Sequence, residues 1–296
     1  MASSTDKRPP TTTQESEAKR TKVDASAAKM SGNKVGTRFV LSLHPASLSH
    51  TSLTHRCDRL GYTAPNFDAE TTQGKINFHE FIGDSWVILF SHPAYVLALC
   101  QYRVLLLTRY NSDFTPVCTT ELGAVAKLQP EFKKRNVKTL GLSCNELKSH
   151  ADWVQDINDI SKVDLQFPII ADPSREVAKL YDMLDEQDLT NLDEKGIPFT
   201  VRSVFIIDPK KTVRTTLTYP ASTGREFNEI LRIIDSLQTG DKNRITTPVN
   251  WTPGSKVIVH PSVKTDEAKQ LFGEDNVEVV RPYLRFTQLD KVPQKA

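Results

Sequence analysis

Three short apolar runs most constrain what this chain can fold into. They are Trp86–Ser91, Thr139–Ser143 and Ser203–Ile207. A continuous apolar run of this length predicts a β-strand that is buried on both faces. The alternating run Val213–Tyr219 predicts a further strand at the edge of the same sheet. The sheet therefore needs a covering layer on each side.

Amphipathic helical patterns between and after these runs can supply that cover. The first helix follows Cys118 and should break at Pro130, because proline cannot continue a helix. Asp172 and Pro173 predict the start of another helix. The inward residues of the three later helices are expected to be Trp153, Ile157 and Ile160; Val177, Leu180, Tyr181 and Leu184; and Phe227, Ile230, Leu231, Ile234 and Leu237. Strands alternating with helices predict an α/β fold with a central sheet between helices.

The C-terminal part changes from this alternation to shorter elements. A strand is predicted at Lys256–His260, a helix at Asp266–Phe272, and two strands at Val277–Val280 and Tyr283–Thr287. We therefore expect three parts: an extra, disordered N-terminal segment (1–59), an α/β domain (60–240) and a small α+β extension (241–296).

Composition excludes several classes of function. The 296 residues carry a formal net charge of +2, which argues against a strong field for nucleic acid or membrane. No apolar run approaches the roughly 20 residues that a membrane span needs. The cysteines, Cys57, Cys100, Cys118 and Cys144, show neither a C-x-x-C pair nor a disulfide framework, which favours a reducing compartment and no metal site.

The N-terminal segment gives the evidence for the cellular location. Residues 1–36 are polar and poor in large apolar residues, so we expect disorder there. Basic clusters at Lys7-Arg8 and Lys19–Lys22 match a bipartite nuclear signal, although such clusters are also found as solvated charge. We expect a cytoplasmic protein, with the nucleus as a second destination. A mitochondrial location is the alternative, although acidic residues in the segment argue against a presequence.

The run Asp113–Gly123 (DFTPVCTTELG) reads as the start of a helix. Thr115 is a suitable N-cap and Pro116 a suitable first helical residue. Cys118 then lies in the first turn, where the helix dipole favours an anion, so its thiol should ionise more easily than a free thiol. A lone cysteine in this position could equally be a core residue.

The full run resembles the peroxidatic-cysteine motif of the peroxiredoxins, in the form found in their one-cysteine, peroxiredoxin 6-like branch. The resemblance extends through GYTAPNF, GDSW, ILFSHPA, FPIIADPSRE, VRSVFIIDP, TLTYPASTGR and TPVNW. It implies a thioredoxin-like fold, with a C-terminal extension that wraps around a partner subunit. It also implies a homodimer, with no nucleic acid and no stable membrane association.

By this resemblance the chain is a peroxidase that reduces hydrogen peroxide and organic hydroperoxides. Cys118 is the nucleophile and becomes a sulfenic acid. Thr115 hydrogen-bonds the thiolate and the peroxide. Arg202, in VRSVFIID, favours the thiolate and donates to the peroxide, and Glu121 orients that arginine. Catalysis of this kind needs donors aimed at the developing charge.

The resemblance implies two further active-site residues, His92 and Pro93. An unusual insert separates them from Asp113. Removing residues 95–112 restores an uninterrupted HPADFTPVCTTELG. Either this apolar insert is absent from the native protein, as an unspliced intron or a gene-model error would cause, or it is genuine and splits the active-site loop. In the second case we expect Pro93 to be displaced and the activity to fall. The alternative function is then a catalytically impaired thioredoxin-fold chaperone or redox-signalling protein.

The second half of the catalytic cycle is inferred from the cysteines. No cysteine follows Cys144, which we interpret as a core residue. The sulfenic acid should therefore be reduced by an external thiol, either glutathione or a thioredoxin-like protein, and no metal or prosthetic cofactor is expected.

A phospholipase activity, credited to some one-cysteine relatives, is a third hypothesis. Ser85 would be its nucleophile and His79 its base. Lys210 stands where those relatives have an acid, with Asp208 nearby, and an activated serine needs an orienting acid. The sequence thus argues against this activity.

Overall fold

The structure is a computed structural model that describes residues 60–93, 113–187, 192 and 196–292. The N-terminal segment 1–59 and the insert 95–112 lie outside the described residues, so the expectations for them remain predictions.

The central element is a seven-stranded mixed sheet with the strand order β2-β1-β5-β4-β3-β6-β7. Its strands are β1 (Asp68–Thr71), β2 (Gly74–Asn77), β3 (Trp86–Ser91), β4 (Val137–Ser143), β5 (Ile169–Ala171), β6 (Arg202–Ile207) and β7 (Val213–Tyr219). The three apolar runs form the adjacent strands β4, β3 and β6 at its centre, and the alternating run forms the edge strand β7. This confirms the strand predictions.

Helices cover both faces of the sheet because alternate residues of β3 point to opposite sides. They are α1 (Phe78–Ile82), α2 (Pro116–Lys127), α3 (Gln129–Lys134), α4 (Leu147–Ser161), α5 (Glu176–Leu180) and α6 (Phe227–Asn243). Ile88 and Phe90 join the core beneath α2, α4 and α6. Val87 and Leu89 join the other core, beneath α1 and α5.

Two details of the helices differ from the prediction, while the break at Pro130 is confirmed by the separation of α2 from α3. Ile160 was expected on the buried face of α4 but is 67% exposed, because Ser161, one turn after Ile157, faces α2 instead. The helix expected after Asp172-Pro173 begins only at Glu176. It also ends at Leu180, because the chain there turns to bring Leu184 into a bridge with Thr200.

The C-terminal extension forms its own four-stranded sheet with a separate small core. Its elements are β8 (Ile245–Thr246), β9 (Val257–Val259), α7 (Thr265–Phe272), β10 (Val277–Arg281) and β11 (Leu284–Thr287). Trp251, Val257 and Phe272 belong to this core. In the part of the chain that the structure describes, no helix is both long enough and apolar enough to cross a bilayer.

Candidate active site

The topology of the sheet brings distant parts of the chain together at one end of its central strands. Strand β6 runs antiparallel to β3, with Phe90 opposite Val204. The start of β6 therefore lies beside the end of β3, which places Arg202 next to His92 and Pro93. Helix α2 begins at Pro116 near the same strand ends, so Cys118 completes the cluster.

Cys118 lies in the first turn of α2 and is fully buried. Its sulfur accepts a hydrogen bond from Arg202 Nη1 at 3.1 Å and lies 3.6 Å from the carbonyl oxygen of Pro93. The thiol is thus held between a cation and a backbone acceptor.

Glu121, one turn further along α2, joins two buried arginines. Its Oε2 accepts from Arg202 Nη1 at 2.8 Å and from Arg225 Nη2 at 2.8 Å. Its Oε1 accepts from the backbone N–H of Arg225 at 2.7 Å. Arg225 also donates to the carbonyls of Ser91 and Ser203, which ties the network to both strands. The sequence analysis missed Arg225, although it ends the quoted motif TLTYPASTGR just before α6.

The charges in this cluster do not balance without the thiolate. Two guanidinium groups face one carboxylate, which leaves one positive charge beside the sulfur. Burial has the largest effect and raises the pKa of the Cys118 thiol, whereas Arg202 and the Thr115 hydroxyl lower it, and the net shift is upward. Loss of hydration therefore opposes the easily ionised thiol that the helix start predicts, and the donors from Arg202 and Thr115 favour it.

Thr115 and His92 bring polar groups to the site that have no protein hydrogen-bond partner. Thr115 is the N-cap residue of α2, but its hydroxyl makes no capping bond. Although it lies near enough to Cys118 to lower the thiol pKa, Thr115 Oγ1 makes no well-formed hydrogen bond, and neither do the ring nitrogens of His92. Buried polar groups are rarely left unsatisfied, so both side chains offer hydrogen-bonding capacity to a bound substrate.

His92 and Pro93 are held in place before the insert begins. The His92 N–H donates to the Leu142 carbonyl at 3.1 Å, and the His92 carbonyl accepts from Thr200 Oγ1 at 2.9 Å. These bonds fix the backbone at His92, and the Pro93 carbonyl oxygen lies 3.6 Å from the Cys118 sulfur. The displacement expected from a genuine insert remains a prediction. The His92 ring also lies edge-on to Trp153, with 4.9 Å between the ring centroids.

Two other candidate groups lie outside this cluster. Ser85 Oγ donates to Asn136 Oδ1, and His79 Nε2 bonds the Ala64 carbonyl. Among the hydrogen bonds of the described residues, these two side chains do not meet, so the structure does not pair His79 with Ser85. Cys144 is buried in the core beneath α1 and α5, as the core interpretation predicts.

The arrangement as a whole is suited to a thiol that attacks a polarised oxygen atom. The buried sulfur of Cys118 has the Arg202 guanidinium beside it and the Thr115 hydroxyl near it, and that hydroxyl has no well-formed hydrogen bond within the protein. No group of three or more His, Cys, Asp or Glu that could hold a metal ion occurs in the described ranges.

Comparison with known families points to the same chemistry. Residues 60–216 match the AhpC/TSA family, and residues 236–274 match the C-terminal domain of 1-Cys peroxiredoxin. The mitochondrial peroxiredoxin PRX1 of Saccharomyces cerevisiae is 52% identical over 231 residues, which cover 78% of this chain and 80% of the relative.

Solved structures agree in fold. A cysteine-to-serine mutant of peroxiredoxin 6 from Arenicola marina superposes with a TM-score of 0.69 at 43% identity, over 80% of this chain and 99% of its own. A yeast mitochondrial 1-Cys peroxiredoxin, described as resolved through glutathione/thioredoxin systems, gives a TM-score of 0.65 at 50% identity, over 78% of this chain and 99% of its own.

These matches confirm the thioredoxin-like fold with its C-terminal extension and the thiol peroxidase function, and they do not favour the impaired alternative. Peroxiredoxins work through a cysteine and an external thiol, without a metal or prosthetic group. The chain belongs to the one-cysteine peroxiredoxins of the AhpC/TSA family, which are thiol peroxidases.

Proposed function

We propose that this peroxiredoxin reduces hydrogen peroxide and organic hydroperoxides at Cys118. The observation that carries the proposal is the buried Cys118 sulfur, 3.1 Å from Arg202 Nη1, in a cluster with one excess positive charge. A thiolate neutralises that charge, and the same donors can stabilise charge on a departing oxygen.

In the first step the Cys118 thiolate attacks the terminal oxygen of the hydroperoxide. The S–O bond forms as the O–O bond breaks, and the electron pair of the O–O bond leaves on the second oxygen, which takes a proton to become water or an alcohol. Sulfur is oxidised to a sulfenic acid and the peroxide is reduced. Arg202 is assigned the role of stabilising this charge, and Thr115 and His92 that of hydrogen-bonding the peroxide. Glu121 is assigned the role of orienting Arg202, and Pro93 that of shielding the sulfur.

In the second step an external thiol attacks the sulfenic sulfur, releasing water and leaving a mixed disulfide, and a second thiol restores the Cys118 thiol. Glutathione or a thioredoxin-like protein is the proposed source of these thiols. The proposal is supported by the description of the yeast relative as resolved through glutathione/thioredoxin systems.

The test of the nucleophile compares two serine variants. Cys118→Ser should abolish peroxide reduction, whereas Cys144→Ser, a change at another buried cysteine, should keep most of it. Consumption of hydrogen peroxide with glutathione and with thioredoxin measures both variants and identifies the preferred reductant. Turnover by Cys118→Ser would exclude Cys118 as the nucleophile.

The role of the insert is tested by deleting residues 95–112. We propose that both the full chain and the deletion variant are active, since Pro93 already lies at the sulfur in the full chain. If the full chain is inert and the deletion variant is active, this proposal is contradicted. The alternative hypothesis, a catalytically impaired chaperone or redox-signalling protein, would then be supported.

Assembly and compartment complete the proposal. We infer a homodimer in which the extension 241–296 contacts the partner subunit.

The yeast relative is named as mitochondrial, which supports that destination beside the cytoplasmic and nuclear one expected from the basic clusters. The location of a fluorescent fusion of residues 1–59 decides between them. If the basic clusters direct the fusion to the nucleus, replacing Lys19 and Arg20 with alanine should move it to the cytoplasm.

A further inference from the structure

A buried histidine–aspartate hydrogen bond lies beside the active site but outside the chemistry described so far. His150 on α4 places Nδ1 2.8 Å from Asp113 Oδ2 and Nε2 3.2 Å from the carbonyl oxygen of Ile170. Both side chains are completely buried. Ser143 Oγ donates to the second carboxylate oxygen, Asp113 Oδ1, at 3.3 Å.

Both ring nitrogens of His150 lie within hydrogen-bonding distance of an acceptor. These acceptors are the carbonyl oxygen of Ile170, which can only accept, and the carboxylate of Asp113. Burial raises the pKa of Asp113, but the hydrogen bond and charge of His150 lower it by more, so the net shift is downward. The short contact therefore ties the Asp113 carboxylate to α4 inside the protein.

The residue that follows Asp113 is held in an unfavourable backbone conformation. Phe114 has a φ of 64°, in the left-handed region that a bulky side chain rarely adopts. This reversal lies between the buried Asp113 and Thr115, the N-cap residue of α2. Such a conformation persists only where its surroundings hold it, and here the hydrogen bonds of Asp113 to His150 and Ser143 fix its upstream end.

A second contact from the same helix fixes the downstream end. Trp153, three residues after His150, donates from Nε1 to Thr119 Oγ1 at 3.0 Å, and Thr119 Oγ1 donates to the Thr115 carbonyl at 2.8 Å. The buried face of α4 thus holds the loop on both sides of Phe114.

We propose that His150 is a positioning residue for peroxide reduction, which through Asp113 holds Phe114 in its left-handed conformation and so places Thr115 and Cys118 against Arg202. The inference rests on the proposed role of Cys118. Without the contact to Asp113, the Phe114 backbone relaxes and carries Thr115 away from the sulfur. A shift of about 1 Å is enough to lower the rate of the chemical step by about 100-fold.

Two substitutions separate the two bonds of His150. His150→Asn keeps an N–H near the position of Nδ1, facing Asp113, and loses the bond to Ile170. His150→Gln keeps an N–H near Nε2, facing Ile170, and loses the bond to Asp113. Ile234→Val, in the same core but on α6, is the control for a general loss of stability.

The measurement is the single-turnover rate of Cys118 sulfenic acid formation by hydrogen peroxide, together with amide hydrogen exchange in residues 113–119. We expect His150→Gln to lose about 100-fold in rate and to exchange faster in this segment, and His150→Asn to stay within about tenfold of the parent. Ile234→Val should retain the parent rate.

Equal rates in the two His150 variants would overturn the proposal, since a packing role alone does not distinguish the two nitrogens. A His150→Gln rate no lower than that of Ile234→Val would overturn it as well. Turnover by Cys118→Ser would instead overturn the proposed function, so the two failures are distinguishable.

Discussion

At the scale of single residues, two opposing effects dominate the pKa of the Cys118 thiol: burial and the neighbouring guanidinium group of Arg202. Burial raises the thiol pKa, while Arg202 lowers it both by its charge and by its hydrogen bond. The helix start that sequence analysis emphasised is therefore only part of the site, and the cation from β6 is the group that opposes desolvation.

Replacing Arg202 with methionine should raise the pKa of the Cys118 thiol further, because both lowering effects disappear. The rate of peroxide reduction should fall by about 10²–10³-fold, the typical cost of losing one donor to transition-state charge. Ultraviolet absorbance of the thiolate, followed against pH, measures the first effect. Arg214→Met, at a half-exposed arginine on β7, is the control and should leave the titration unchanged.

His92 should make the fold sensitive to acid. Burial lowers its pKa from 6.5 to about 3, so the unfolded chain binds a proton in this range that the folded chain does not. Stability is thus unaffected above pH 6.5 and falls as the pH decreases toward 3, by up to about 1.4 kcal/mol per pH unit.

We therefore expect His92→Asn to flatten the decline of the unfolding free energy between these pH values, as measured by urea denaturation. His260→Asn, at an exposed histidine of the extension, should retain the parent slope. An unchanged slope in His92→Asn would show that His92 is not the group responsible.

At the scale of elements, α2 and α4 are in close contact at Gly123. A methyl group at this position would come within 2.7 Å of the Ser161 Cβ, closer than two carbon atoms can approach. The absence of a side chain at Gly123 therefore lets the helix that carries Cys118 lie directly on the helix that carries His150 and Trp153.

Gly123→Ala should destabilise the protein by about 1–3 kcal/mol, since the added methyl separates the two helices. Thermal unfolding measures the loss. Gly240→Ala in α6, where the nearest atom lies 3.4 Å from the added carbon, is the control and should be neutral or stabilising. Adding Ser161→Gly to Gly123→Ala should recover part of the stability, and no recovery would mean that the contact is not the cause.

At the scale of the whole molecule, the extension exposes apolar side chains on one hairpin. Val279 and Tyr283, at β10 and the turn after it, are 47% and 76% exposed. Exposed apolar groups that lie together often mark a protein interface, and this hairpin belongs to the part for which a partner contact is proposed.

The double variant Val279→Ser and Tyr283→Ser should weaken the proposed homodimer and shift the population toward monomer at low concentration, as seen by sedimentation velocity. Val249→Ser, at a still more exposed valine outside the hairpin, should leave the dimer intact. A dimer that is unaffected by the double variant would place the interface elsewhere.

Local patterns in the sequence were sufficient for much of this architecture. The apolar runs identified the central strands, and Pro130 identified the break between α2 and α3, because both depend on neighbouring residues. Ile160 and the helix after Asp172 were mispredicted, because contacts with other elements decide which face of α4 is buried and where α5 ends.

The sequence by itself determined the α/β order of elements and the family motif around Cys118, whereas the partnership with Arg202 was implied only by the family resemblance. Only the tertiary structure decided that the thiol is desolvated, that Arg202 donates to its sulfur, and that Arg225 shares Glu121 with Arg202. The physical reason is distance along the chain. Local patterns indicate where strands and helices form, whereas desolvation and ion pairing depend on groups as far apart as Cys118 and Arg202, 84 positions away.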